Sequence, residues 1–163
     1  MTTVPAYRMV KSRWRSVAFD GTGARLYGGR WNSRGKAATY AAGSEALAIL
    51  EILVHLDRTS VLPSYTVFEL ALPQDEVEWL PHDALPPNWQ DSPAPRETAV
   101  IGDDWLARGE ALALALPSVV VPSERAFLLN PFHPVYGEVV AEAVERETSL
   151  DHRLLSPSPG GTA

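Results

Sequence analysis

Cysteine is absent from this 163-residue chain, so disulfides, thiolate metal sites and a cysteine nucleophile are excluded at the outset. No apolar run approaches the ~20 residues of a membrane-spanning helix. The opening residues, Met-Thr-Thr-Val-Pro-Ala-Tyr-Arg, have no apolar signal-peptide core. A cytoplasmic protein with no membrane partner is expected. Bases are also in short supply, 14 Lys and Arg against 20 Asp and Glu, and the net charge of −6 argues against general nucleic-acid binding. What is present, 45% hydrophobic and 21% charged residues over this length, fits one compact globular domain.

The charge is unevenly spread. Residues 1–36 hold eight bases, Arg8, Lys11, Arg13, Arg15, Arg25, Arg30, Arg34 and Lys36, against the single acid Asp20, so they carry +7 and the remainder −13. A basic first fifth suits the reception of a small anion such as a phosphate.

Local patterns predict a short strand at 7–10, an irregular or partly helical connection at 11–25, and a further strand at 38–41. Between them, Gly28 and Gly29 sit inside the aromatic run Leu-Tyr-Gly-Gly-Arg-Trp-Asn, which signals a bulge or a close backbone approach. Ser44 reads as the N-cap of a helix to about Leu56, with Glu45 in its first turn and apolar residues on nearly every face, hence buried in the middle of the domain. A strand at 65–72 ends at Pro73, and six prolines between 73 and 95 predict an extended surface connection. Helical spacing is read over Asp103–Leu116, a short strand over Ser118–Val121, and a strand-like segment over Phe127–Asn130. Residues 135–147 fit strand or helix. The Pro/Gly-rich end, 156–163, is expected to be a disordered tail behind a domain spanning 1–155.

Several side chains carry possible chemistry. Glu51 lies in so apolar a helix that its carboxylate would be desolvated, which calls for a structural ion pair to an Arg or a role in a cleft. Arg30, behind two glycines, has the bidentate fork that suits phosphate or carboxylate; its bland counterpart is a buried pair with Glu51. Tyr40, Tyr27, Trp31 and Trp14 offer rings for a planar heterocycle or simply fill core. His55 stands four residues after Glu51 but no further ligand completes a metal set. Ser118, Asn130 and His133 occupy turn-rich segments that can orient a ligand or merely shape a turn. Ser118 is in no Gly-x-Ser-x-Gly elbow, which argues against a Ser-His-Asp hydrolase.

Taken together, Tyr7-Arg8, Gly28-Gly29-Arg30-Trp31-Asn32, Tyr40-Ala41-Ala42, the helix Ala46-Leu-Ala-Ile-Leu-Glu51-Ile-Leu-Val-His55-Leu, Ile101-Gly-Asp-Asp-Trp-Leu106, Leu116-Pro-Ser118 and Leu128-Leu-Asn130-Pro-Phe-His133-Pro resemble the RES-domain family over roughly residues 5–155. The resemblance implies a compact α+β domain with a small mixed or antiparallel β core and flanking helices, similar to ADP-ribosyltransferase toxins. It also implies the toxin half of a Res-Xre type II toxin–antitoxin pair that consumes NAD as substrate, with no metal, and so inhibits growth. An Xre-type helix-turn-helix antitoxin would cover the site in a hetero-oligomer and supply any DNA binding. Arg30, Tyr40, Glu51, Ser118 and Asn130 are implied to line the NAD site, with Tyr27 and His55 as weaker additions. Arg30 and Glu51 are the expected catalytic pair, facing each other across a nucleotide-sized cleft. Ala126, where many relatives have Asn, departs from the pattern. The reaction implied is cleavage of the nicotinamide–ribose bond, to water, phosphate or a protein side chain; the alternatives are a protein ADP-ribosyltransferase with a specific target and a non-catalytic binding module.

Overall fold

The computed structural model describes residues 1–56 and 62–155. The expected tail at 156–163 lies outside them. Seven strands, β1 (Thr3–Lys11), β2 (Thr39–Ala42), β3 (Tyr65–Pro73), β4 (Val77–Trp79), β5 (Ala113–Pro117), β6 (Arg125–Leu129) and β7 (Val144–Thr148), form one sheet in the order β4-β5-β6-β2-β1-β3-β7. All neighbours are antiparallel except β4 with β5, so the sheet is mixed. The helices are α1 (Thr22–Tyr27), α2 (Glu45–His55), α3 (Arg96–Arg108) and α4 (Tyr136–Ala141). The protein is an α+β domain. Among the described residues no helix is long and apolar enough to cross a membrane.

Strand alternation sorts the side chains onto two faces. On one face Tyr40, Leu114, Leu116 and Leu128 pack with Trp31 and with Ile101, Trp105 and Leu106 of α3, while Ala42 meets Leu47 and Ala48 of α2. On the other face Ala41, Ala113, Ala115, Phe127 and Leu129 pack against Tyr136 and Val139 of α4. β1 and β3 pair from Thr3 opposite Pro73 to Lys11 opposite Tyr65, a long ladder that fixes the centre of the sheet.

Ser44 caps α2 as expected, its Oγ accepting from the Leu47 N–H at 3.1 Å. The helix is nevertheless not enclosed. Only Leu47 and Ala48 are buried, and Leu50 and Val54 are 39% and 59% exposed, because the sheet covers one side of the helix and nothing described covers the other. Composition alone cannot separate a helix buried all round from one with an uncovered apolar face.

Three further expectations need correction. The helix read over Asp103–Leu116 begins at Arg96 and stops at Gly109, whose φ of +64° ends it; the Ala-Leu alternation beyond is β5, buried throughout. A fully buried strand and a helix segment share one apolar signature, so periodicity could not arbitrate. Residues 118–121 form a turn rather than a strand, because the Ser118 hydroxyl collects the Val120 and Val121 N–H groups. The proline-rich 73–95 segment carries one short strand, β4, at the sheet edge, and 135–147 contains both readings in succession, α4 then β7.

Candidate active site

The Gly28–Asn32 loop departs from α1 at Gly28, which takes φ +70°. It closes on itself through the Gly29 N–H to Asn32 carbonyl bond at 2.9 Å. Tyr40 rises from β2 into this loop. Its hydroxyl donates to Asn32 Oδ1 at 2.6 Å and accepts from the Trp31 N–H at 3.2 Å. A Cβ on Gly29 would stand 2.6 Å from that hydroxyl, so the close approach read from the paired glycines is real and specific to Gly29. Burial holds the phenol well above its ordinary ionisation range, with the Trp31 N–H and the Arg30 charge pulling the other way. From the opposite face of the sheet, the partly buried Arg8 donates from Nη1 to the Tyr40 carbonyl at 2.9 Å and from Nε to the Ala18 carbonyl.

Arg30 does not pair with Glu51. Its Nη1 donates to the backbone carbonyls of Trp89 at 2.9 Å and Asp91 at 2.7 Å, in the proline-rich segment. Nε and Nη2 make no hydrogen bond among the described residues. The Arg30 carbonyl in turn accepts from the fully buried Thr98 hydroxyl at 2.7 Å. Two residues of the helix that follows, Thr98 and Gly102, thus hold the loop, the latter so tightly that a Cβ there would meet the Trp31 carbonyl oxygen at 1.6 Å. The buried Arg30–Glu51 ion pair, the bland alternative for these two residues, is not formed: the two carbonyls take both N–H groups of Nη1 without a carboxylate.

Glu51 is half-buried on α2 and its partner is Ser118. The Ser118 hydroxyl donates to Glu51 Oε1 at 2.9 Å while accepting from the N–H groups of Val120 at 3.1 Å and Val121 at 3.2 Å. Two amides donating to one hydroxyl leave its single proton only one direction to go. Ser118 therefore orients the carboxylate and is not a free nucleophile.

Register places these groups on one face. Tyr40 lies opposite Leu128, which lies opposite Leu114, and Ser118 follows four residues after Leu114, just past the end of β5. Strand spacings put the Tyr40 and Ser118 backbones about 15 Å apart. Asn130 sits at the other end of the β5–β6 pair: its N–H bonds the Leu112 carbonyl, six residues before Ser118, so the two are about 20 Å apart. Asn130 Oδ1 accepts from the Phe132 N–H at 3.0 Å, and Gly109 at the end of α3 lies over its Nδ2. The structure thus separates Asn130 from Glu51 and Ser118 and gives it the shaping of the Asn-Pro turn.

Tyr27 is 76% exposed at the end of α1, beside Gly28, and His55 is exposed in the last turn of α2. Trp31 is core, and Trp14 is exposed beneath the Arg13 guanidinium. His133 lies 3.4 Å from Glu76, far from Ser118, so no Ser-His-Asp constellation exists among the described residues. Two cavities of about 310 and 230 Å³ flank the Arg15–Glu145 ion pair on the opposite side of the sheet, away from this site. Sequence reasoning assigned no role to Asn32, Thr98 or Arg8. Thr98 and Arg8 act on backbone 68 and 32 residues away, for which a single sequence carries no signal, while Asn32 acts within eight residues, inside a loop whose closure the sequence pattern does not specify.

Residues 5–151 match the family model described as RES domain. The chain belongs to the RES-domain family. Among curated relatives, Toxin Res of Yersinia enterocolitica is 38% identical over 148 residues, 91% of this chain and 97% of that protein. The Prs ADP-ribosylating toxin of a Sphingobium species is 38% identical over 161 residues, 90% of this chain and 98% of that one. Among solved structures, a chain of the M. tuberculosis MbcT–MbcA toxin–antitoxin complex shares the fold with a TM-score of 0.66 over 94% of this chain and 87% of that one, at 16% identity. This RES-domain fold therefore carries Arg30, Tyr40, Glu51 and Ser118 on one side of its sheet, with Asn130 in a turn two residues beyond Leu128, the partner of Tyr40, and away from Glu51 and Ser118.

Proposed function

We propose that the protein is a toxin that consumes NAD by breaking the bond between nicotinamide and ribose. The observation that carries the reading is Glu51: a half-buried carboxylate on a partly open helix, oriented by a hydroxyl whose proton has no other acceptor. As the glycosidic C–N bond breaks, its electron pair leaves with nicotinamide, neutralising the ring, and positive charge develops on the ribose. A fixed carboxylate beside that charge stabilises it. The acceptor's lone pair then bonds the anomeric carbon and its proton is released. Arg30, whose Nε and Nη2 make no hydrogen bond among the described residues, takes phosphate or ribose oxygens, and the Tyr40 ring stacks on a planar base. The separation of Tyr40 and Ser118 suits a dinucleotide lying along the sheet face.

The relatives named as toxins support growth inhibition as the outcome, and an Xre-type antitoxin covering the site is the partner this reading requires. A second reading, transfer of ADP-ribose to a protein, is favoured by the relative named Prs ADP-ribosylating toxin. Incubation of purified protein with NAD tests both. Released nicotinamide with free ADP-ribose or its phosphate supports the first, and label retained on one protein supports the second. Undiminished NAD, with wild type and Glu51→Ala alike, refutes the enzymatic claim and leaves a binding module.

A further inference from the structure

Asn32 is 1% exposed and every polar atom of its side chain is engaged. Nδ2 faces the carbonyls of Ala24 at 2.9 Å, Lys36 at 3.1 Å and Ser33 at 3.2 Å. Three carbonyl oxygens can face only the NH2 end of an amide, so the orientation of the group is forced and Oδ1 must point at Tyr40. An oxygen there can only accept. The Tyr40 hydroxyl must therefore donate its one proton to Asn32, and the Trp31 N–H occupies one of its lone pairs. Gly29 passes so close that no side chain fits between loop and hydroxyl.

The ring is thus tied at both ends: its backbone by the strand and by Arg8, its far end by Asn32. What Tyr40 offers a ligand is a ring of set orientation, without an available proton. We infer that Asn32 is a positioning residue of the candidate site, acting through the Tyr40 hydroxyl to fix the ring against which a planar ligand lies and to keep that hydroxyl out of proton transfer. This rests on the reading of the site as one that takes NAD.

Ordering a ring in advance lowers the cost of binding, so losing the tether should weaken binding about three- to tenfold and leave the bond-breaking step alone. The experiment is a double-substitution cycle of Asn32→Ala and Tyr40→Phe in the full chain, with kcat and KM for NAD measured separately and tyrosinate absorbance followed against pH, using Tyr40→Phe as the blank. The expected result is a raised KM with kcat close to wild type in each single variant, no further change in the double variant, and Tyr40 ionising at lower pH once Asn32 is replaced. A merely structural Asn32 would slow the reaction equally in both backgrounds and overturn the inference. So would a loss of kcat at unchanged KM in Tyr40→Phe, which decides the matter if Asn32→Ala fails to fold. If the wild-type chain consumes no NAD, the proposed function falls by itself, and the titration still decides: a Tyr40 ionising in the wild type like an exposed tyrosine overturns the tether.

Discussion

Replacing Ser118 with Ala removes one hydroxyl and three hydrogen bonds at once. The bond to Glu51 Oε1 is 2.9 Å long and charge-assisted; those from Val120 and Val121 are 3.1 and 3.2 Å and neutral. At a net value of about 1 kcal/mol for each neutral bond and somewhat more for the charged one, the sum is about 3–4 kcal/mol. Both valines are only partly buried, so water recovers some of the loss, and about 2–3 kcal/mol is expected. For a domain of this size that lowers the melting temperature by about 5–10 °C. The freed carboxylate samples other rotamers, and the rate of NAD consumption should fall about tenfold, or 1.4 kcal/mol. The assay is a pair of measurements on Ser118→Ala, Glu51→Ala and the double variant: thermal unfolding, and initial rate at saturating NAD below every melting temperature. Because Ser118 acts through Glu51, it should cost rate only while Glu51 is present. Two rate losses that multiply in the double variant would refute the argument that the hydroxyl serves the carboxylate.

Gly102→Ala places a methyl carbon 1.6 Å from the Trp31 carbonyl oxygen, so α3 and the Arg30 loop must separate; a loss of about 3 kcal/mol or more in chemical denaturation is expected, against near neutrality for Gly23→Ala, where the space is open. Ser44→Ala deletes the N-cap of α2 and should cost about 1 kcal/mol by the same measurement. Burial raises the phenols of Tyr40 and Tyr136 above their ordinary value of 10.0, so the native state holds protons that the unfolded chain gives up. Their contribution is present in full below that pH and is lost as pH rises through the native values, and a stability profile that stays flat on the alkaline side would contradict it. Glu51→Gln keeps an acceptor for Ser118 but removes the charge, so the fold should melt near wild type while NAD consumption falls about 100-fold or more.

Much of the architecture around the candidate site was legible because it is local. The paired glycines announced a close approach and Gly29 makes it; Ser44 announced a helix start and caps it; Glu51 stood out as an acid in the middle of an apolar helix and does have a polar partner. Where reading failed, two structures shared one pattern. The Ala-Leu run at 111–116 has an apolar residue at every position, so helix and buried strand were indistinguishable until Gly109 and the pairing with β6 chose. Ser118 beside valines read as strand propensity, yet its hydroxyl bonds win the backbone for a turn.

By itself the sequence determined which residue types were available: a loop that tolerates close contact, a fork-shaped cation, an orphan carboxylate, and the absence of thiol chemistry. Only the tertiary structure decided who meets whom. Arg30 went to backbone carbonyls 59 and 61 residues away rather than to Glu51, and Glu51 went to a serine 67 residues on. Strand order set those meetings, since Ser118 and Asn130 each follow directly on one of two adjoining antiparallel strands and so stand at opposite ends of the pair. Charge and spacing act along the chain, whereas a buried hydrogen bond depends on which atoms the sheet register brings within about 3 Å.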